Sequence, residues 1–138
     1  MMTIRSQANS PEAYIRRVLF DMTEKDFIWL DKAVKGSYTG ESAKDVIDKA
    51  VTGVYTIWRI QDEEGILVTW KDNETLWLGF LATSDYLNRL PHLDAWLTNY
   101  GRQHGCSRLM WSASRKALYQ LYEKEYGLES ARIYEQEI

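Results

Sequence analysis

One apolar segment, TLWLGFLA at residues 75–82, constrains the fold more than any other part of the sequence. Large apolar side chains occupy both of its alternating faces, and strict alternation places four of them together: Leu76, Leu78, Phe80 and Ala82. Gly79 interrupts the segment, and a glycine inside a strand indicates a β-bulge or the close approach of another group. We therefore expect an interior strand that is covered on both faces.

Helix caps and changes of hydrophobic period divide the rest of the chain. Thr23 and Ser42 are each followed three positions later by an aspartate, which completes a capping box at the start of a helix. Residues 54–60 and 65–71 alternate with a period of two, and polar turns join them to the central strand as a meander. The other predicted elements are strands at 3–5, 107–112 and 132–138 and helices that start near Pro11, Pro91 and Ser114.

Two of these helices are predicted from proline positions and apolar spacing. Proline suits the first turn of a helix, where its missing N–H has no bond to lose. After Pro91 the apolar residues recur at helical spacing, and Gly101 or Gly105 is expected to end that helix. After Pro11 the same spacing predicts one buried stripe on a single helix, made of Tyr14, Ile15, Val18, Leu19 and Met22.

Together these elements predict one α/β domain (α+β) over residues 1–138. Helices would cover both faces of a mixed, mainly antiparallel sheet. The chain has six tryptophans, and we expect most of them in the core. The side chains expected to be buried are Phe27, Leu30 and Val34 on the helix after Thr23, and Leu78, Phe80, Trp96, Leu109 and Leu121.

Composition and charge disfavour several functional classes. A formal net charge of -3 and a pI near 5.4 argue against a general nucleic-acid binder, which needs a surplus of basic residues. The single cysteine, Cys106, rules out an intramolecular disulfide, and the two histidines lie too far apart for a zinc motif. No apolar run approaches the roughly 20 residues of a membrane-spanning helix. We therefore expect a soluble, cytoplasmic protein that binds no metal, nucleic acid or membrane.

The basic residues are unevenly distributed along the chain. Between Asp94 and Glu123 no acidic residue occurs, whereas four basic residues do: Arg102, Arg108, Arg115 and Lys116. Such a stretch is either a solvated face or a surface that meets an anionic ligand, and both interpretations stay open.

The most specific motif lies near the end of the sequence. The string LYEKEYGL at residues 121–128 resembles a helix end of the GNAT acyltransferase superfamily, with Glu125 adding one residue to the usual spacing. The order of helices and strands is similar too, and MTIR at 2–5 looks like a first strand of that superfamily. Further segments resemble small GNAT-like proteins of bacteriophages: VIDKA at 46–50, Gly53, Trp58, WL at 96–97, Tyr100, HGC at 104–106 and Arg115. The resemblance implies a GNAT-like fold and a phage-encoded protein in the host cytoplasm or the virion.

The resemblance also implies acetyl-CoA as a cofactor, held at the loop after the central strand. The superfamily binds the pyrophosphate there with Arg or Gln, two residues, Gly, one residue and Gly or Ala, because glycine lets backbone N–H groups approach phosphate. This chain has TSDYLNRLP at 83–91, without glycine, and Asp85 adds a negative charge. The residues that would contact the cofactor are Thr83, Ser84, Arg89, Arg115 and Lys116.

Two functions remain open. In the first, the degenerate loop binds no cofactor, and the protein is a non-catalytic module that binds a protein of the virion or the host. In the second, the protein is an active acetyl-CoA-dependent N-acetyltransferase. Tyr122 matches the tyrosine with which the superfamily protonates the departing CoA thiolate. The alternative for Tyr122 is packing beside Leu118 and Leu121.

A non-catalytic protein must fill the gap that opens in GNAT-like sheets between the central strand and the strand at 107–112. Buried backbone groups without partners cost ~1–3 kcal/mol each. We therefore expect Trp77, Trp111 or Tyr122 to occupy the space of the pantetheine arm. Surplus aromatic surface is expected to contact the protein partner.

Overall fold

The computed structural model describes residues 14–35, 40–112 and 133–138 of the chain. Within these ranges six strands form one sheet in chain order. The strands are β1 Ile15–Val18, β2 Thr56–Ile60, β3 Gly65–Asp72, β4 Thr75–Thr83, β5 Arg108–Ser112 and β6 Ile133–Glu137. The helices are α1 Glu24–Val34, α2 Ala43–Val51 and α3 Tyr86–Gln103, with a 3-10 turn at Gln61–Glu63. The predicted strand at 3–5, the helix from Ser114 and the side chain of Leu121 lie outside the described residues.

The described strands pair antiparallel with their neighbours, except β4 and β5, which are parallel. Parallel neighbours need a crossover connection, and α3 supplies it. Helices α1 and α2 cover one face of the sheet, where Leu30 and Val46 belong to the core. Helix α3 covers the other face with Leu93 and Trp96. The predicted mixed, mainly antiparallel sheet with helices on both faces is confirmed.

Both predicted capping boxes are present. Thr23 Oγ1 accepts the N–H of Asp26 at 3.3 Å, and Asp26 Oδ2 accepts the N–H of Thr23 at 2.9 Å. Ser42 and Asp45 repeat the arrangement at 3.2 and 2.9 Å. Asp26 is also fully buried, and its Oδ2 lies 2.7 Å from Nη2 of Arg59 on β2. The start of α1 is therefore fixed to the sheet by an ion pair.

This ion pair explains why one helix prediction is wrong. Phe27 was expected on the buried side of α1 with Leu30 and Val34, which are indeed buried, but Phe27 itself is 44% exposed. Asp26 has to face Arg59, so the helix is rotated to bury Asp26 and leaves its neighbour Phe27 at the rim.

Residues 15–18 form strand β1, not the helix predicted from Pro11. Ile15 and Val18 are both buried, but Ile15 lies in the core under α3 and Val18 in the core under α1 and α2. Two apolar residues three positions apart lie on one stripe of a helix and on opposite faces of a strand. The spacing alone therefore fits a helix as well as a strand. These residues form a strand because all four of them pair with β2.

Helix α3 begins at Tyr86, five residues before the predicted start at Pro91. The proline lies in the second turn, where it leaves the carbonyl of Leu87 without its usual N–H donor. Leu87 is 68% exposed, so the residue that loses this bond lies on the solvent side of the helix. The rest of the prediction holds, because Leu93, Trp96 and Leu97 are buried.

Helix α3 ends at Gly105, one of the two glycines that were predicted to end it. Its φ of 75° is the left-handed conformation that glycine adopts without strain. The N–H of Cys106 donates to the carbonyl of Gly101 at 2.8 Å and that of Gly105 to Arg102 at 3.3 Å, which is a Schellman motif. Gly101 has a different role, since a Cβ there would lie 2.5 Å from Cδ1 of Ile138.

Gly79 produces the bulge that its position in β4 predicted. Val68 pairs with Phe80 and Thr69 with Leu78, so Gly79 is an extra residue without a partner on β3. An extra residue exchanges the faces of all later side chains. The predicted single face is therefore wrong: Leu76 and Leu78 pack toward α3, whereas Phe80 and Ala82 pack toward α1 and α2.

The bulge also affects the predicted burial. Phe80, Trp96 and Leu109 are buried as expected. Leu78 is only partly buried, because it immediately precedes the bulge, where the strand leaves regular pairing.

Candidate functional site

The sheet parts between β4 and β5 at the bulge. The two strands pair from Thr75 with Arg108 to Leu78 with Trp111, and among the described residues this is the whole of their pairing. Strand β4 then continues to Thr83, paired with β3 alone on its other side. The two strands therefore share only the first four residues of β4, and the predicted parting is present.

Aromatic rings cover the bulge on the face of α1 and α2. A Cβ at Gly79 would fall against the Trp70 ring, so this glycine is required for a close approach as well as for the bulge. The Trp70 ring stacks on Tyr55 at 4.8 Å and on Trp77 at 5.9 Å between centroids. These three rings form a row from Tyr55, the residue before β2, across β3 to β4.

The two described tryptophans that were expected to fill the gap lie on either side of the sheet. Trp77 belongs to the row with Trp70, and Trp111 packs against the core under α3 at the last pair before the strands part. Tyr122 lies outside the described residues. The filling of a pantetheine channel by one of them stays a prediction. Of the six tryptophans, Trp96 is buried, and four more are partly buried and pack against the two cores, so the core position predicted for most of them is confirmed: Trp29, Trp58, Trp70 and Trp111.

The loop after β4 is tied to the turn between β2 and β3. Thr83 Oγ1 donates to the backbone carbonyl of Glu64 at 2.8 Å, and the N–H of Ser84 donates to the same carbonyl at 3.0 Å. The Ser84 hydroxyl also binds the Glu64 carboxylate, and this hydrogen bond, followed by the pairing with Lys25, lowers the pKa of Glu64. A negative charge is therefore held against the loop.

Asp85 places a second carboxylate at the start of α3. It is the N-cap residue, but its φ of 50° is left-handed and its side chain makes no cap hydrogen bond. Instead, Oδ1 accepts from Nδ2 of Asn88 at 2.9 Å. Asp85 is exposed, so the first turn of α3 faces solvent beside a negative charge.

Arg89 lies next to this loop but binds elsewhere. Its Nη1 donates to the Tyr14 hydroxyl at 2.8 Å, and its guanidinium carbon lies 5.9 Å from the Tyr14 ring centre. The Tyr14 ring in turn contacts His92 at 5.2 Å. Arg89 Nε is buried and has no hydrogen-bond partner among the described residues. The guanidinium is thus held by a residue at the entrance to β1.

The structure brings together three of the residues that the resemblance pointed to. Thr83, Ser84 and Arg89 lie around one loop, whereas Arg115, Lys116 and Tyr122 are outside the described residues. Sequence reasoning missed Glu64, which was treated as part of a hairpin turn, and Tyr14, which was assigned to a helix. These contacts join residues 19 and 75 positions apart, so no local pattern signals them.

The described part of this loop does not fit a diphosphate. Its hydroxyl and N–H donors at Thr83 and Ser84 already bind Glu64, and its nearest guanidinium binds Tyr14. Two carboxylates, of Glu64 and Asp85, oppose an anion. Potential metal ligands do not form a group of three or more within the described ranges. None of the described helices combines the length and apolar character of a membrane span.

Comparison with known proteins finds solved structures with a similar fold. No protein-family model matches the chain, and neither does any curated protein sequence. An IAA acetyltransferase from Bacillus cereus ATCC 14579 is similar with a TM-score of 0.56 and 16% identity over 80% of this chain and 73% of that one. Ard1 from Thermoplasma volcanium has a TM-score of 0.54 and 14% identity over 90% of this chain and 96% of its own.

A third solved structure extends the likeness to a protein described by its family. It is a putative acetyltransferase of the GNAT family from Desulfovibrio desulfuricans, with a TM-score of 0.55 and 18% identity over 89% of this chain and 97% of that one. All three likenesses cover most of both chains at low identity, and they therefore concern the fold. The relation to phage proteins stays a prediction. The chain has the fold of the GNAT acetyltransferases.

Proposed function

We propose that this protein is a GNAT-fold, phage-encoded module that binds a protein of the virion or the host cytoplasm and has lost efficient acyl-CoA chemistry. The observation that carries the proposal is the loop after β4, whose polar groups bind the protein itself. Thr83 and Ser84 are bonded to Glu64, and Arg89 is bonded to Tyr14.

The energetic argument concerns the contacts that a diphosphate would have to replace. A typical hydrogen bond contributes about 0.5–1.5 kcal/mol, and the loop would give up those from Thr83, Ser84 and Arg89 before it gained any to phosphate. The carboxylate of Glu64 would then face the ligand, and its lowered pKa keeps it ionised at neutral pH. Binding of acyl-CoA in this place would therefore start from an unfavourable balance.

The described surface also carries apolar side chains that suit a protein interface. Phe20 is 91% exposed, and on the first turns of α1 Phe27 and Ile28 are 44% and 49% exposed. These three residues lie within one short segment of sequence, and exposed apolar side chains that form one patch are typical of interaction sites. Phe20 and Phe27 thus supply aromatic surface of the kind that the sequence led us to expect.

Calorimetry with acetyl-CoA tests the loss of acyl-CoA chemistry. We expect no binding at millimolar cofactor, because the Thr83 hydroxyl and the Ser84 N–H already bind the Glu64 carbonyl and two carboxylates oppose an anion. Tight binding that weakens with salt would contradict the proposal.

The protein-binding part needs its own experiment. We expect the protein in purified virions, or a specific partner captured from infected cells. The Phe20→Ser variant should lose this capture, whereas Leu87→Ser, which removes an exposed side chain from α3, should keep it. Absence from particles together with no captured partner would refute a binding module.

One observation favours the second function, an acetyl-CoA-dependent N-acetyltransferase. The strands β4 and β5 part after Leu78, as they do in GNAT-like sheets, and the similar solved structures are acetyltransferases. In this function Tyr122 would act as the acid. The loop and the later helix would hold acetyl-CoA through Thr83, Ser84, Arg89, Arg115 and Lys116. The same calorimetry decides between the two functions.

A further inference from the structure

We propose that the edge strand β1 binds an extended segment of a partner protein in which two consecutive acidic residues lie between apolar ones. The segment would join the sheet as an added strand beside Ile15–Val18. This inference rests on the proposed function, because it names the kind of partner that the module binds.

The backbone of β1 can accept such a strand. It lies at one end of the strand order, so among the described residues it pairs on one side only, with β2. In an antiparallel pair every second residue directs its N–H and C=O groups away from the neighbouring strand. These outward groups are the ones that an extended peptide binds when it joins a sheet.

The side chains of β1 select what can lie there. Ile15 and Val18 are buried, whereas Arg16 and Arg17 between them are exposed. Alternate residues of a strand lie on one face, so Arg17 lies on the face of Ile15, toward α3, and Arg16 on the face of Val18, toward α1 and α2. Neither guanidinium has a hydrogen bond or an ion pair within the described ranges. Each face of the edge therefore carries one positive charge without a partner there.

The position of Arg16 is costly for the fold alone. It lies directly opposite Arg59 of β2, and like charges in that arrangement are destabilising. Asp26 pairs with Arg59 at 2.7 Å, whereas Arg16 has no such carboxylate among the described residues. Charge on an edge strand also hinders aggregation, but Arg17 alone would supply that charge. An acidic partner would give Arg16 the carboxylate that it lacks.

Strand geometry defines the pattern of the partner segment. Residues beside each other on neighbouring strands share a face, so the residues beside Arg16 and Arg17 are consecutive and point to opposite faces. Apolar residues would flank them, beside Ile15 and Val18. Phe20, two residues beyond Val18, is 91% exposed and extends the apolar surface at that end. The matching pattern is therefore apolar, acidic, acidic, apolar.

This pattern favours a different protein as the partner. Consecutive acidic residues occur in this sequence only at 62–64, between Gln61 and Gly65, so the chain has no acidic pair with apolar residues on both sides. A second copy of the chain could not supply the segment. Nucleic acid would meet a protein with a formal net charge of -3, which disfavours binding to phosphate.

Fluorescence anisotropy with two labelled peptides of equal composition tests the inference on the full chain. One is Thr-Val-Glu-Glu-Val-Thr, and the other is Thr-Glu-Val-Glu-Val-Thr, which places both glutamates on one face. We expect the first to bind at least about tenfold more tightly, because only this peptide can meet both arginines. Equal affinity for the two peptides overturns the inference, and so does tighter binding of single-stranded DNA.

Charge reversal at the edge supplies the matched variants. Arg16→Glu combined with Arg17→Glu should weaken binding of the first peptide at least about tenfold and should let Thr-Val-Lys-Lys-Val-Thr bind instead. Lys35→Glu combined with Lys44→Glu is the control, since it changes the net charge equally at exposed residues outside β1. The control should change the affinity less than about twofold, because distant exposed charges are screened by salt. An equal loss in the control would overturn the inference.

Hydrogen exchange of the wild type is a second readout that needs no variant. The first peptide should protect the β1 amides that point away from β2, and the second should not. Absence of this protection, or a dimer that excludes the peptide, overturns the inference. If β1 takes up the peptide but the protein is absent from virions and captures no partner, the proposed function fails alone. If a captured partner binds the charge-reversed variant as well as the wild type, only this inference fails.

Discussion

The two ends of β4 are held in different ways. At the Thr75 end the backbone pairs on both sides, with β3 and with β5, and the N–H groups of Ser107 and Arg108 add bonds to the carbonyl of Glu74. At the Thr83 end β4 pairs with β3 alone among the described residues. Polar side chains surround this open end, in the pairs Asp26 with Arg59, Ser84 with Glu64 and Tyr14 with Arg89.

This difference indicates that backbone pairing stabilises the fold, whereas polar side-chain pairs also influence binding. Backbone pairing is sequence-tolerant, because any residue except proline can supply it. Polar side-chain pairs depend on two particular residues each, and two of them, Ser84 with Glu64 and Arg89 with Tyr14, are also groups that a ligand at the start of α3 would meet. A change at the paired end should therefore act on stability alone, whereas changes at the open end should act on stability, binding or both.

The largest expected effect is the loss of the buried ion pair at the open end. In Asp26→Ala, Arg59 would keep a largely buried charge without its carboxylate, and breaking such a pair costs about 3–5 kcal/mol. Chemical denaturation measures this cost. Asp31→Ala removes an exposed carboxylate from the same helix and should cost less than about 0.5 kcal/mol. Equal costs for the two variants would show that the pair does not hold the open end.

The second largest effect is expected at the Gly79 bulge, which lies between the two ends of β4. In Gly79→Ala the new methyl group would fall against the Trp70 ring, and overpacking of this kind costs about 1–3 kcal/mol. Near-ultraviolet circular dichroism should change as well, because Trp70 stacks on Trp77. Gly53→Ala is the comparison for backbone strain alone, since it has positive φ and nothing within 4 Å of the new Cβ. An unchanged near-ultraviolet spectrum in Gly79→Ala would exclude crowding of the Trp70 ring.

Substitutions at the two ends of α3 should change the stability of the protein in opposite directions, and this sharpens the comparison. Gly105→Ala puts a Cβ at φ 75° and should destabilise by roughly 1 kcal/mol. Asp85→Gly relieves a left-handed non-glycine residue at the other end, and we expect a gain of about 0.5 kcal/mol. Thermal unfolding measures both. A loss in Asp85→Gly would mean that the bond from Asn88 outweighs the backbone strain.

The smallest effect is a pH dependence at Glu64. Its pKa is lowered from the ordinary value of 4.5 by the Ser84 hydroxyl and then by Lys25, so the ionised carboxylate stabilises the fold above that value. The contribution is lost as pH falls through the lowered pKa. The difference in melting temperature between the wild type and Glu64→Gln should therefore be present at neutral pH and shrink in acid. Both proteins should also be compared in a Ser84→Ala background, where the difference in melting temperature should be smaller. An unchanged difference would show that the Ser84 hydroxyl does not lower the pKa of Glu64.

Features that depend on residues close together in the sequence were predictable. The capping boxes at Thr23 and Ser42, the meander and the terminator Gly105 all depend on residues a few positions apart, and the structure confirms each of them. Gly79 was correctly identified as a bulge or a close approach, and it is both.

Features that depend on residues far apart in the sequence were not predictable in this way. The strand β1 was mistaken for a helix because Ile15 and Val18 fit either period, and the choice depends on β2, which lies about 40 residues later in the chain. The faces of Phe80 and Ala82 depend on one inserted residue whose position only the pairing reveals. Tyr14 and Glu64 reach the loop through tertiary contacts that no local pattern encodes.

The bulge at Gly79 limits how the length of this chain can change. Inserting or deleting one residue between Thr75 and Leu78 would exchange the faces of the residues before the bulge, and the same change after Gly79 would exchange those that follow. A deletion of Gly79 itself would turn Phe80 toward α3 and Leu81 toward α1 and α2. Length variation keeps the register of β3 and β4 only at the turn of Asn73 and Glu74, as long as the Glu74 carbonyl still reaches Ser107 and Arg108. Related chains of different length should therefore differ at that turn and keep β4 the same length.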